Sequence, residues 1–84
     1  MLAPLTRGRQ MTNWTQIVGS THLQEAAYDD DRNTLSIRFR QNPRDIYIYR
    51  GVPPAEFSAL MNSPRPGQHF RDRIKGRYQH TKGE

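Results

Sequence analysis

The sequence contains no cysteine. Disulfides, thiolate zinc sites and dithiol redox motifs are thereby excluded. No apolar run approaches the roughly 20 residues that a helix needs to cross a bilayer. Nor does a basic start followed by an apolar stretch mark a secretory leader. These absences predict a cytoplasmic protein. Glycine loops that cradle phosphate are missing as well, as are the nucleophile-elbow and Ser-x-x-Lys settings that activate a serine. The length, 84 residues, allows one domain with a small core.

What is present is positive charge, unevenly placed. Thirteen Lys and Arg face eight Asp and Glu, for a net +5. Residues 1–64 contribute only +1 of this; residues 65–84 carry Arg65, Arg71, Arg73, Lys75, Arg77 and Lys82 against Asp72 and Glu84, for +4. A basic segment raises encounter rates with nucleic acid and other anions. A solvated basic face with no dedicated partner is the competing reading.

Periodicity organises the middle of the chain. Residues 1–13 have no pattern and read as a disordered arm, with Met11 as an alternative start to Met1. Trp14, Ile17 and Val18 are the first apolar anchors, Trp14 either packing over the sheet edge or standing exposed. Residues 20–29 (STHLQEAAYD) alternate unevenly and predict a strand with a bulge near Ala26-Ala27. Asp29-Asp30-Asp31-Arg32-Asn33 reads as a turn, since Asp and Asn side chains satisfy nearby backbone donors. The three carboxylates lack the spaced ligands and glycine of a calcium loop. The clearest strand follows: Leu35, Ile37 and Phe39 on one face, Ser36, Arg38 and Arg40 on the other. A turn over 41–44 leads to a third strand, 45–50, apolar on both faces, with Ile46 and Ile48 opposite Tyr47 and Tyr49. As the last strand of a meander it is expected at the sheet edge.

Val52-Pro53-Pro54 predicts a helix start, because proline is tolerated in a first helical turn. Phe57, Leu60 and Met61 form its apolar stripe. Residues 62–67 (NSPRPG) end it. A second short helix is expected over 68–75, with Phe70 and Ile74 inward, Tyr78 extending that side and Gly76 as the stop. Residues 79–84 read as a frayed tail, leaving a single domain over 14–78. The expected fold is α+β: a three-stranded antiparallel β-meander with two short C-terminal helices packed on one face.

This order of signals resembles the KTSC domain family, small modules named for their place at the C-terminus of some lysyl-tRNA synthetases and also found as stand-alone bacterial and phage-encoded proteins. The resemblance rests on Ser20-Thr21 with Leu23 and Tyr28-Asp29, then on Leu35-x-Ile37-x-Phe39. It continues through Tyr47-x-Tyr49, Val52-Pro53, Phe57 and Leu60, and ends with Ser63, Gly67, Phe70, Ile74 and Tyr78. Three departures stand out. The turn after Phe39 is two residues longer, with Asn42-Pro43 where a glycine is usual; an insertion of two preserves which face each side chain takes. Pro64-Arg65-Pro66 lengthens the link from Ser63 to Gly67. His69-Phe70-Arg71 stands where Tyr-Phe-Asn is common. The resemblance implies the same α+β fold and an RNA-binding role.

No constellation points to catalysis. His22, His69 and His80 share no spacing that would unite them, and a zinc site needs three or four converging ligands. A non-enzymatic binding module without cofactor or metal is expected. Its first candidate partner is RNA or single-stranded nucleic acid, met by Arg71, Arg73, Lys75, Arg77 and Lys82 together with exposed Arg38 and Arg40. Tyr47 and Tyr49 are either stacking platforms or core, and core is favoured because so small a sheet needs large rings to seat its helices. The alternative partner is a host protein or a second copy, docking on the edge strand and its Ile46 and Ile48 face.

Overall fold

The computed structural model describes residues 14–83. Its strands are β1 (Thr15–Gln16), β2 (Leu23–Asp29), β3 (Thr34–Phe39), β4 (Asn42–Arg50) and β5 (His80–Gly83). Between β4 and β5 lie α1 (Pro54–Asn62) and α2 (Pro66–His69), the latter running on into a π-helical turn over Phe70–Ile74. All five strands form one antiparallel sheet in the order β1-β2-β3-β4-β5. The class is α+β, as expected. The strand count is not: the sheet has five strands rather than three.

The difference lies at the two ends of the expected meander. Residues 80–83, expected to fray, pair with β4 in the register Ile46↔Gly83, Tyr47↔Lys82, Ile48↔Thr81 and Tyr49↔His80. Strand β4 is therefore interior. The expectation of an edge followed from not seeing β5. Thr15 and Gln16 add a two-residue strand at the other margin. The expected arm over residues 1–13 falls outside the described residues.

Turn chemistry holds the hairpins. Asn33 takes a left-handed φ of 54° at the β2–β3 turn, which asparagine tolerates better than most residues. Asp29 Oδ1 accepts the Asp31 amide at 3.0 Å in the same turn. The expected bulge in β2 exists two residues before Ala26-Ala27, where the pairing slips between Leu23 and Glu25. Gln24 is the extra residue, and among the described residues its buried Oε1 finds no hydrogen bond. A second slip, between Arg38 and Phe39, absorbs the longer β3–β4 connection. Pro43, which has no N–H to give a ladder, sits in that irregular stretch.

One face of the sheet carries the core. Leu23, Ala26, Leu35, Ile37 and Tyr49 from the strands meet Ile17, Val52, Leu60, Phe70 and Ile74. Helix α1 seats Phe57 flat on Tyr28 of β2, with ring centroids 5.0 Å apart. The Tyr28 hydroxyl lies 2.5 Å from the Val52 carbonyl and 3.1 Å from Asn33 Oδ1, which pins the entry to α1 against the β2–β3 turn. Helices α1 and α2 are clamped by His69 Nε2 and Glu56 Oε2 at 2.8 Å. The π turn ends with the Lys75 amide donating to the Phe70 carbonyl at 2.8 Å. The left-handed Gly76 then reverses the chain (φ 85°).

Helix α2 also approaches the loop before β2 closely. Ser20 Oγ accepts the amides of His22 and Leu23 at 3.1 and 2.9 Å, and a methyl group on Gly67 would meet that oxygen at 3.0 Å. The serine cannot yield without breaking both bonds. Gly67→Ala is expected to lower stability by about 1–3 kcal/mol, the usual cost of overfilling a packed contact. Urea unfolding of the two proteins measures it, and an unchanged midpoint would show that Ser20 gives way freely.

Candidate functional site

The helices do not cover the whole face on which they sit. Phe57 reaches β2, and Phe70 reaches Phe39 of β3 and Tyr49 of β4 at 5.6 and 5.4 Å, both edge-on. Strand β5 lies beyond them. Its register sets His80 beside Tyr49 and Lys82 beside Tyr47 on the helix side of the sheet.

A cleft of about 260 Å³ opens there, between the β4–β5 margin and the π turn. Rings supply its walls. Tyr47 packs edge-on to Phe39 at 5.2 Å and tilts against His80 at 5.9 Å. His80 lies 4.9 Å from Tyr49, their planes 30° apart. The polar lining comes from Lys75 at the end of the π turn, Gln41 and Asn42 in the β3–β4 connection, and His22. Two histidines that share no sequence pattern are thus brought to one cleft, while His69 is spent on the helix clamp.

The two tyrosines differ. Tyr49 is 3 % exposed and belongs to the core, whereas Tyr47 is half-buried and packs against the core from the cleft side. Burial, with a smaller contribution from Tyr47 nearby, pushes the Tyr49 phenol up to about 12. Burial also raises the Tyr28 phenol, with Asp30 and then Asp29 adding to the effect.

The basic residues fall into three groups. Arg71, Arg73, Lys75 and Arg77 are exposed on the π turn and the turn after it, and among the described residues none of them forms a salt bridge. Lys75 lines the cleft; Arg73 lines a separate hollow with Arg65 and Asp72. Lys82 is exposed but paired with Asp45 at 3.2 Å. Arg38 and Arg40 were expected on an exposed face, and both are engaged in the fold. Arg38 reaches Glu25 at 3.0 Å and the Pro43 carbonyl at 2.7 Å, with its guanidinium 4.6 Å from the Trp14 ring centre. The Glu25 approach is ionic rather than a directed hydrogen bond, since the Arg38 Nε–H is not aimed at the carboxylate. Arg40 donates to the Ser20 and Ile17 carbonyls at 3.0 and 3.4 Å and so ties down the loop before β2.

Ile46 and Ile48 lie on the other face of the sheet, which no helix of the described residues covers. Both are half-buried. Ile48 lines a shallow depression of about 540 Å³ with Ala27, Ser36, Arg50 and Thr81. The open backbone edge that was expected on β4 belongs to β5 instead. The carboxylates of Asp29, Asp30 and Asp31 come within 4.8 Å of one another, in the turn whose amide Asp29 already binds. Among the described residues, no helix is long and apolar enough to cross a membrane.

The KTSC domain profile matches residues 19–78. The chain belongs to the KTSC domain family. Its structure is similar to the crystal structure of a KTSC domain protein from Yersinia pestis, with a TM-score of 0.75 and 32 % identity over 82 % of this chain and 94 % of that one. A segment of 56 residues is 36 % identical to part of a lysine–tRNA ligase from Nostoc punctiforme. That match takes in 67 % of this chain but only 10 % of the ligase, so the chain spans about a tenth of that relative. The KTSC match begins at Gly19 and ends at Tyr78, so β5, and with it the His80 wall of the cleft, lies outside the matched segment.

The Tyr49 environment has a measurable signature in alkali. A phenol near 10 when unfolded and near 12 when folded binds its proton more tightly in the folded state. Its contribution to stability is complete below about pH 10 and is lost as pH rises through about 12. Phenolate absorbance should therefore show one tyrosine titrating well above the others, and Tyr49→Phe should retain its circular dichroism to higher pH than the parent. Four tyrosines titrating together near pH 10 would contradict the burial of this ring.

Proposed function

We propose that this KTSC domain is a non-catalytic module of the cytoplasm that binds RNA or another single strand across the aromatic cleft and the basic turn beside it. The observation that carries this reading is the cleft itself, in which stackable rings and an exposed lysine face solvent together. Bases stack on such rings with little regard to sequence, each worth about 1–3 kcal/mol, while cations hold the backbone. Arg71, Lys75 and Arg77 are the cations available for phosphate; Lys82 would first have to leave Asp45. The lysine–tRNA ligase that shares a similar segment is named for acting on a tRNA, which agrees with RNA as the partner. Family members of the stand-alone bacterial and phage-encoded kind provide the natural setting for so small a binder.

A second reading rests on the uncovered face. Ile46 and Ile48 beside a wide depression would suit a protein partner or a second copy of the chain. In this reading light scattering should show association as concentration rises, and a strict monomer that captures no partner would count against it.

The nucleic-acid reading is tested by fluorescence anisotropy with labelled single-stranded RNA at several salt concentrations. Replacing Arg71, Lys75 and Arg77 by alanine should weaken binding at low salt. It should also flatten the slope of log K against log salt by about 2, from three lost phosphate contacts on a single strand. A protein that binds no strand at low salt, or whose affinity ignores these three changes, does not work this way.

A further inference from the structure

The cleft has more structure than a sequence-blind platform needs. We infer that it is a pocket for one unpaired nucleobase, with Tyr47 and His80 as the stacking surface and the Gln41 and Asn42 amides reading the edge of the base, so that strands carrying adenine are preferred. This deepens the proposed function and rests on it.

Size is the first argument. Pockets that enclose drug-sized ligands run from about 300 to 1,000 Å³. At about 260 Å³ this cleft falls just below them, which suits one flat heterocycle. Its walls are the second. Tyr47 and His80 are inclined to each other by 46°, while Phe70 and Tyr49 close the inner end as part of the core. A ring entering from solvent therefore meets the half-buried Tyr47 and the exposed His80 first.

The third argument is polar. Gln41 and Asn42 are exposed residues lining the same cleft. Among the described residues neither amide side chain makes a hydrogen bond. An amide offers a donor and an acceptor side by side, which matches the N6 amino group and N7 of adenine in a bidentate pair. On the corresponding edge guanine presents two acceptors, while cytosine and uracil each present a single polar group beside C5, so none of the three forms the same pair with an amide. The irregular β3–β4 register is what brings these two residues to the mouth. Asn42 pairs with Phe39, a wall of the cleft, while the slip next to it takes up the following residues. Lys75 sits on the opposite lining element, where a phosphate flanking the bound base can meet its ammonium group.

The test uses the full chain with labelled RNA octamers of A, of C and of U, titrated at low salt. The A octamer should bind at least about five-fold more tightly than either other strand, the lower end of what one bidentate amide–adenine pair supplies. The double change Gln41→Ala and Asn42→Ala should bring the three affinities together without altering the salt slope, since neither side chain is assigned to phosphate. Gln41→Ala alone should halve the preference or more, and it serves as the readout if the double variant melts early. Replacing both Tyr47 and His80 by leucine should weaken all three strands alike. Equal affinities in the parent protein, or a preference that survives loss of both amides, overturns the base pocket and leaves strand binding standing. Failure of every octamer to bind overturns both.

Discussion

Burying Tyr49 requires a strand on each side of it and a helix above it. Leu35 of β3 and His80 of β5 flank the ring in register, and Phe70 closes it edge-on. In a domain of this size apolar area is scarce, and aromatic side chains supply the most per residue. The rest of the structure serves that requirement. The π turn places Phe70 and Ile74 together in the core. Gly76 turns the chain back, and four residues without one large apolar side chain complete the sheet.

The two faces then divide the labour. On the helix side, rings fill the centre and spill outward into the cleft, where Tyr47 is half-buried and His80 is exposed. On the far side, ionic and cation–π contacts take the place of a second layer: Arg38 between Glu25 and Trp14 steadies the sheet where no helix of the described residues covers it. Arginine suits that position because its flat, weakly hydrated guanidinium can lie on a ring and still pair with a carboxylate. Charge spent in this way is withdrawn from any ligand. The basic surface is accordingly narrower than the arginine count suggests.

Much of this was legible in the chain. Strict alternation at Leu35, Ile37 and Phe39 marks β3, and Pro53-Pro54 and Gly76 bracket the helical region where the structure has it. What alternation cannot reveal is a partner. Arg38 and Arg40 read as outward-facing, and outward in a strand says nothing of Glu25, Trp14 or a loop carbonyl twenty residues away. Strand β5 was invisible for a related reason. His80, Thr81, Lys82 and Gly83 have no apolar member, so their placement depends on backbone pairing and on contacts to Tyr49 and Asp45 made across the fold. Backbone pairing of this kind leaves no pattern in the side chains. Once β5 is missed, the cleft is missed with it, since His80 is one of its walls.

The threading of the sheet sets when that wall can exist. The pairings β1–β2, β2–β3 and β3–β4 each join strands separated by a short connection, so their closure costs little entropy. The pairing of β4 with β5 spans residues 51–79 and encloses α1, α2 and the π turn. Strand β5 also follows the other four strands in the chain, so it is the last of them to leave a ribosome. A nascent domain, or one cut after Tyr78, therefore has Tyr47 and Tyr49 at an open margin and no His80 beside them. Whatever the cleft recognises, it recognises only in a domain in which β5 has paired with β4.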